Sequence, residues 1–176
     1  KRCAIELQSI PGDRPRAFAQ QGNVVVSAPM LALLTEDELA LVGGHEMAHL
    51  LLGHPPPGDA AATDRKQLEM DADRLGFFLA GLAGYPVRQL AAGWPALVAR
   101  LTSRPPNGDD SHPASEVRVR AVNEAASEFC TRGERHEPLM PALERLQPRD
   151  PAAVKALQQR AAQLPLPTLC RPPASP

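Results

Sequence analysis

The sequence predicts a mainly helical α+β domain with a small β-sheet near its N-terminal end. Two short strand-like segments lie before residue 28, and signals for helix starts and stops follow from residue 35 onward. Aromatic residues make up only 3% of the chain, so the core must be built from Leu, Val and Ala. A length of 176 residues is enough for one domain with an appendage.

Two segments at the N-terminal end have the pattern of β-strands. Residues 3–7 alternate weakly between polar and apolar side chains, and residues 22–27 contain the β-branched run Val24-Val25-Val26. The Pro11 to Pro15 segment between them has the composition of a loop. We expect the second strand to lie at the edge of the sheet.

The first long helix is predicted over residues 36–52. Thr35 and Glu38 fit a capping box at its start, and Gly53 precedes a proline run that stops it. Gly43 and Gly44 lie inside this helix, and each costs about 1 kcal/mol relative to alanine. Either the weakness is tolerated, or another backbone, such as that of the strand, passes close to this turn.

Further helices are predicted along the rest of the chain, separated by turn-forming and Pro-rich segments. Their approximate ranges are 64–82, 87–103 as a shorter helical pair, 114–129, 138–146 and 151–163. Residues 164–176 form a proline-rich tail that we expect to be extended. The composition shifts after Cys130, which predicts a main domain over residues 1–130 and a C-terminal extension over 131–176 that packs on it.

Charge and cysteine content exclude several classes of protein. The net charge is −1, which gives no indication of binding to nucleic acid or to an anionic membrane surface. No apolar run approaches the ~20 residues that a transmembrane helix needs. Of the three cysteines, Cys130 and Cys170 bracket the extension, and a disulfide between them would imply an oxidising compartment. Three reduced thiols, Cys3 included, are the alternative.

The run His45-Glu46-Met47-Ala48-His49 is the strongest chemical signal in the chain. Two histidines four residues apart on a helix point the same way, so both can bind one zinc ion. Glu46 then lies near the open side of the metal, where it can act as a general base on water. We therefore expect one Zn²⁺ per chain and a third ligand elsewhere.

The third ligand is predicted on the second long helix. Glu69 is the candidate, and Asp73 lies one turn further along the same face, where it can accept a hydrogen bond from the outer nitrogen of a ligating histidine. His54 lies nine residues from His45, about 180° around the helix, and is expected to face away from the metal.

Three ordered blocks of the chain resemble the gluzincin zinc metallopeptidases that include HtpX, the CAAX prenyl endopeptidases and soluble relatives such as BepA. The first block joins Arg16-Ala17-Phe18-Ala19, Gly22-Asn23-Val24-Val25-Val26 and the run from Glu38 to His49. The second runs from Glu69 to Gly76, and the third combines Ser111-His112-Pro113 with Arg118. The family has an asparagine where this chain has Arg16, a departure at the expected edge of the cleft.

The resemblance implies a zincin-type catalytic domain with His112 and Arg118 in its active site. His112 either donates a hydrogen bond to the oxyanion of the tetrahedral intermediate or binds zinc and plugs the open position in a resting enzyme; a solvated loop histidine is the alternative. Arg118 either orients the substrate carbonyl or pairs with an active-site carboxylate, and a surface salt bridge is the alternative. The sequence leaves these roles open.

Together these residues predict a zinc-dependent endopeptidase that hydrolyses unfolded or flexible protein or peptide substrates. A zinc-activated water attacks the peptide carbonyl with Glu46 as general base, and the expected edge strand, Val24, Val25 and Val26, binds the substrate backbone. A chaperone-like protein that binds clients with little proteolysis is the alternative. We expect a soluble protein without a transmembrane segment, located in a bacterial periplasm or cell envelope; the oligomeric state stays open.

Overall fold

A computed structural model describes residues 5–55, 62–101, 115–135, 137, 152, 155–156, 159–160 and 162–172. Within these ranges, the strands are β1 (Glu6–Ile10), β2 (Ala17–Gln20) and β3 (Asn23–Ser27). The helices are α1 (Ala28–Leu33), α2 (Glu36–Leu52), α3 (Ala62–Ala83), α4 (Val87–Leu101), α5 (Ser115–Glu134) and α6 (Leu166–Leu169). The predicted fold class, a mainly helical α+β domain with a small sheet, is confirmed.

The three strands form one sheet in the order β1-β3-β2. β3 runs parallel to β1 and antiparallel to β2, so that Val24 lies opposite Leu7 on one side and Ala19 on the other. Gln21 and Gly22 join β2 to β3 with positive φ angles of 49° and 84°, the backbone of a tight hairpin turn.

The prediction that the valine strand lies at the sheet edge is wrong. β3 is the central strand, and Val24, Val25 and Val26 are buried. The error arose because the sequence pattern revealed only one of the two strands that flank β3. β2 was missed, and β1 begins three residues later than expected. The edge strand that packs against α2 is β2.

Helix α2 begins and ends where its capping signals predict. The backbone N–H of Thr35 donates to the Glu38 carboxylate at 2.9 Å, and the Glu38 N–H donates to the Thr35 hydroxyl at 3.3 Å. At the other end, Gly53 adopts the left-handed conformation with φ 67°. These caps fix both the start of α2 and the direction in which the chain leaves it.

Other elements differ from prediction in number and length. α4 is a single helix that contains Pro95, not a helical pair, and α5 extends five residues beyond its expected end. α1 was not predicted, and the tail contains the short helix α6 where an extended chain was expected. The predicted helix 138–146 lies outside the described residues, and so does much of 151–163.

α2 and α3 approach each other at a pair of glycines. A Cβ atom on Gly44 would lie 2.6 Å from the Gly76 carbonyl oxygen, and one on Gly76 would lie 2.5 Å from the His45 backbone nitrogen. The close backbone foreseen near Gly43 and Gly44 is therefore that of α3 and not that of the strand. Gly43 itself has open space around its Cβ position.

The main core lies between α2, α3, α4 and α5. Phe78 of α3 meets Phe129 of α5 edge to face, with ring centroids 5.5 Å apart. A disulfide joins Cys130 of α5 to Cys170 just after α6, across a sequence separation of 40 residues. In the chain-entropy model a loop of this size contributes about 4 kcal/mol to the free energy of unfolding.

Two further expectations concern the ends of the chain and its relation to membranes. Within the described segments, no helix has the length and apolar character needed to cross a bilayer. The division into residues 1–130 and 131–176 stays a prediction, since α5 runs through residue 130 and Leu169 of α6 joins the main core. Cys3 lies outside the described residues.

The glycine contact predicts opposite effects for two neighbouring substitutions. Gly44→Ala must push the backbones of α2 and α3 apart, so we expect it to lower the free energy of unfolding by about 1–3 kcal/mol, as overpacking does. Gly43→Ala meets no neighbour and should raise it by up to about 1 kcal/mol through helix propensity. Denaturant unfolding of both variants measures the difference; equal effects would show that the close approach is not a constraint.

Candidate metal centre

Helices α2 and α3 bring three potential ligands to one point. His45 Nε2 lies 3.0 Å from His49 Nε2 and 3.4 Å from Glu69 Oε2, and His49 Nε2 lies 3.6 Å from Glu69 Oε1. Two imidazole nitrogens and one carboxylate oxygen are a donor set typical of catalytic zinc. Ligands about 2.1 Å from one tetrahedral ion lie about 3.4 Å apart, so the observed spacing fits such an ion. The group could therefore hold a metal ion.

A buried chain of charges stands behind His45. Its Nδ1 lies 2.9 Å from Asp73 Oδ1, and the Asp73 side chain is fully buried. Arg118 of α5 donates to the same carboxylate twice, from Nε to Oδ2 at 2.6 Å and from Nη2 to Oδ1 at 2.7 Å. The guanidinium also lies 5.6 Å from the centre of the Trp94 ring. Asp73 therefore contacts the outer nitrogen of His45, and its role behind a metal ligand stays a prediction.

The side chain of Arg118 lies against Asp73, which in turn contacts His45. Of the roles open to it, pairing with an active-site carboxylate agrees with the two hydrogen bonds to Asp73. Its side chain is only 14% exposed, which leaves little of the guanidinium for a substrate. These contacts favour a positioning role, in which Arg118 holds Asp73 next to the ring of His45. The substrate-binding role of Arg118 stays a prediction.

His54 does not face away from the metal ligands, as helical geometry led us to expect. Its Nδ1 lies 2.8 Å from Nδ1 of His49, with ring centroids 4.9 Å apart. The prediction failed because it continued the helix through residue 54, whereas α2 ends at Leu52 and Gly53 turns the chain back. Burial lowers the pKa of His54, while the charges of Asp71 and Glu69 oppose this effect.

Glu46 lies beside the edge strand β2. The backbone N–H of Ala19 lies close enough to its carboxylate to act on it, in the direction that lowers the pKa of Glu46. Burial raises the pKa of Glu46, and the nearby charge of Glu69 adds to this effect, while the charge of His45 opposes it. A carboxylate with a raised pKa is a stronger base, which suits a group that must take a proton.

The electrostatic field of the site favours a cation among the three ligands. Burial alone would lower the pKa of His45, but hydrogen bonds to Asp73 and Glu69 outweigh it and raise that pKa to about 10. Burial and the charge of His45 lower the pKa of His49 to about 4. Burial would raise the pKa of Glu69, yet its hydrogen bond to His45 lowers it to about 2. The carboxylates of Glu69 and Asp73 therefore stay ionised next to the histidine nitrogens.

The remaining predicted site residues are His112 and the three valines of β3. His112 lies outside the described residues. Val24, Val25 and Val26 are buried in the central strand, and their backbones are paired on both sides. Two contacts that sequence reasoning missed are those of Ala19 and His54. The signals available for them were the Gln21-Gly22 turn, which predicts a hairpin, and the Gly53 cap, which reverses the chain.

The Asp73–Arg118 pair predicts how stability depends on pH. Burial would raise the pKa of Asp73, but the charge and hydrogen bonds of Arg118 lower it from 3.8 to about 2. A carboxyl whose pKa is lower in the folded state stabilises the fold above pH 3.8, and this stabilisation is lost as pH falls toward 2. Arg118→Gln should therefore destabilise the metal-free protein by about 3 kcal/mol at pH 7 and by much less near pH 2.

Denaturant unfolding from pH 7 to pH 2 measures this difference. Arg120→Gln is the matched control, because Arg120 is exposed on the same helix, and it should stay close to wild type at every pH. A gap between Arg118→Gln and wild type that does not narrow in acid would contradict the pairing.

Comparison with known proteins gives one match. The model of peptidase family M48 matches residues 5–58, which include the whole sheet, α1 and α2 with His45, Glu46 and His49. Glu69 and Asp73 lie beyond the matched segment, which covers less than a third of the chain. No curated protein and no solved structure matches this sequence. The match supports the M48 family, and with it a zinc-dependent metallopeptidase.

Proposed function

We propose that this protein is a zinc-dependent endopeptidase in which His45, His49 and Glu69 hold one Zn²⁺ and Glu46 is the general base. The observation that carries the proposal is the meeting of two imidazole nitrogens and a carboxylate within 3.0–3.6 Å, with Glu46 on the same helix as both histidines. The M48 match supports the same chemistry from the sequence of α2.

In the proposed reaction, Glu46 accepts a proton in one step and donates it in a later step. A zinc ion held by the three ligands would polarise the scissile carbonyl and lower the pKa of water from 15.7 toward about 7. Glu46 takes a proton from the attacking water oxygen onto its carboxylate. As the C–N bond breaks, Glu46 returns that proton to the leaving amine nitrogen. The raised pKa of Glu46 favours the first transfer, and the second restores the carboxylate.

We infer that an extended substrate pairs with β2 and not with β3. β2 is bonded to β3 on one side, and its Ala19 N–H reaches Glu46, so this edge runs beside the general base. Main-chain pairing to an edge strand requires an extended backbone and accepts most side chains. The substrates are therefore unfolded or flexible proteins and peptides. Val24, Val25 and Val26 act indirectly, since they anchor the strand that holds β2.

Two further parts of the proposal concern His112 and the cellular compartment. We retain both roles for His112, as oxyanion donor or as a plug of the open zinc position, with opposite effects of its removal on the rate. The Cys130–Cys170 disulfide supports an oxidising compartment such as a bacterial periplasm. A chaperone-like role without hydrolysis is not favoured, because client binding needs no general base beside a metal site.

Replacement of Glu46 tests the chemistry. Glu46→Gln keeps the size of the side chain but cannot take a proton, so we expect hydrolysis of casein to fall at least ~100-fold, within the range that proton transfer contributes. The zinc content and the thermal midpoint should remain those of wild type. Glu124→Gln, at an exposed position of α5, is the control and should keep full activity. Cleavage by Glu46→Gln at the wild-type rate would refute the general-base role.

Replacement of Glu69 tests the ligand set. Glu69→Gln exchanges an anionic ligand for a neutral amide, while His45 and His49 stay in place. We expect wild type to bind about one zinc per chain and the variant to bind it more weakly, with loss of activity in proportion. Zinc per chain is measured by elemental analysis after dialysis against a chelator, with Glu116→Gln of α5 as an exposed control. Unchanged zinc content and activity in Glu69→Gln would remove Glu69 from the site.

A further inference from the structure

We propose that His54 is a positioning residue for the metal centre: it accepts a hydrogen bond from His49 Nδ1 and thereby fixes the ring and the tautomer of that ligand. The inference rests on the proposed zinc site and adds a residue to it. His54 touches no metal or substrate in this role. It acts on the orientation and the tautomer of His49, and so on the affinity of His49 for zinc.

The end of α2 places the His54 ring against His49. Gly53 adopts φ 67°, a left-handed conformation that ends the helix, and the His54 backbone N–H donates to the His49 carbonyl at 3.0 Å. The reversed chain returns the side chain of residue 54 to the last turn of α2. The two rings meet edge to face, at 73° with centroids 4.9 Å apart. A straight helix could not make this contact, because five residues would rotate the side chain about 140° away.

The metal-binding role of His49 determines which nitrogen of the His49–His54 pair carries the proton. Two neutral imidazole nitrogens 2.8 Å apart form a hydrogen bond only if one carries a proton and the other a lone pair. Nε2 of His49 faces His45 and Glu69, so as a ligand atom it must keep its lone pair. The proton of His49 therefore lies on Nδ1 and is donated to Nδ1 of His54. His54 in turn carries its own proton on Nε2.

The two histidine ligands are thus supported in different ways. His45 donates to Asp73, a fully buried carboxylate held by Arg118, whereas His49 donates to a neutral ring that is only partly buried. An acceptor behind a ligating histidine raises its basicity and fixes its orientation. Loss of His54 would leave His49 free to take the other tautomer, which presents a proton and not a lone pair to the metal. The expected consequence is weaker binding of zinc.

The test compares two substitutions of similar size. His54→Asn places an amide oxygen where Nδ1 of the imidazole stood, so it can still accept from His49. His54→Leu has the same branching but no acceptor. We expect His54→Leu to weaken zinc binding about 10–100-fold, as loss of such partners does, and His54→Asn to recover most of the affinity. Competition with a chromogenic chelator measures the affinity, and thermal unfolding of the metal-free proteins should give similar midpoints for both variants.

The outcomes separate this inference from the proposed function. If wild type binds zinc and His45→Ala does not, the site is real, and equal affinities of wild type and His54→Leu would then overturn the role of His54. Equal weakening in His54→Leu and His54→Asn would overturn it as well, because it would indicate packing and not hydrogen bonding. Failure of wild type itself to bind zinc would refute the proposed function and with it this inference.

A second measurement does not depend on any variant. Nitrogen-15 NMR of the histidine rings in the zinc-loaded wild type distinguishes protonated from lone-pair nitrogens. We expect a protonated Nδ1 in His49 and a lone pair on Nδ1 of His54. A protonated Nδ1 on His54 would contradict the proposal even if all the variants fold poorly.

Discussion

The site depends first on how closely two helices can approach. His45 and His49 lie on α2 and Glu69 on α3, so the distance between the helix axes sets the distance between the ligand atoms. Gly44 and Gly76 allow the two backbones to touch, where any side chain would overlap the opposite backbone. Gly44 directly precedes His45, so this contact is made next to the first ligand. Glycine inside a helix has a conformational cost, and at this position it permits the close approach that brings His45 and Glu69 together.

A second constraint is that the buried charges of the centre must be compensated without metal as well as with it. Asp73 has no exposure to water, and a lone buried carboxylate would be strongly destabilising. Arg118 neutralises it with two hydrogen bonds, while the apolar ring of Trp94 lies next to the guanidinium. This arrangement links α3, α4 and α5 to the orientation of His45. The same side chains thus connect the helical core to the candidate metal site.

The sequence predicted those features that depend on local spacing and missed those that depend on reversals of the chain. The spacing of His45 and His49, the position of Glu69 before Asp73, and the caps of α2 all follow from helical periodicity. The partners of Glu46 and His49 do not, because each is brought in by a turn. A hairpin returns β2 alongside β3, and the left-handed Gly53 returns His54 to α2. Local patterns give the residues within an element and leave open which elements meet.

The sheet shows why the misplacement of one strand matters for function. Because β3 is the central strand, its valine side chains pack in the core. An extended chain that pairs with the sheet on this side would therefore bind the backbone of β2. β2 contains the Ala17-Phe18-Ala19 segment, and Arg16, where the resembling family has asparagine, is exposed just before it. The backbone of Arg16 is bonded to β3, because the Ser27 hydroxyl accepts a hydrogen bond from the Arg16 N–H at 2.9 Å. The departure at Arg16 therefore changes the exposed surface beside β2, while the backbone contact to Ser27 remains in place.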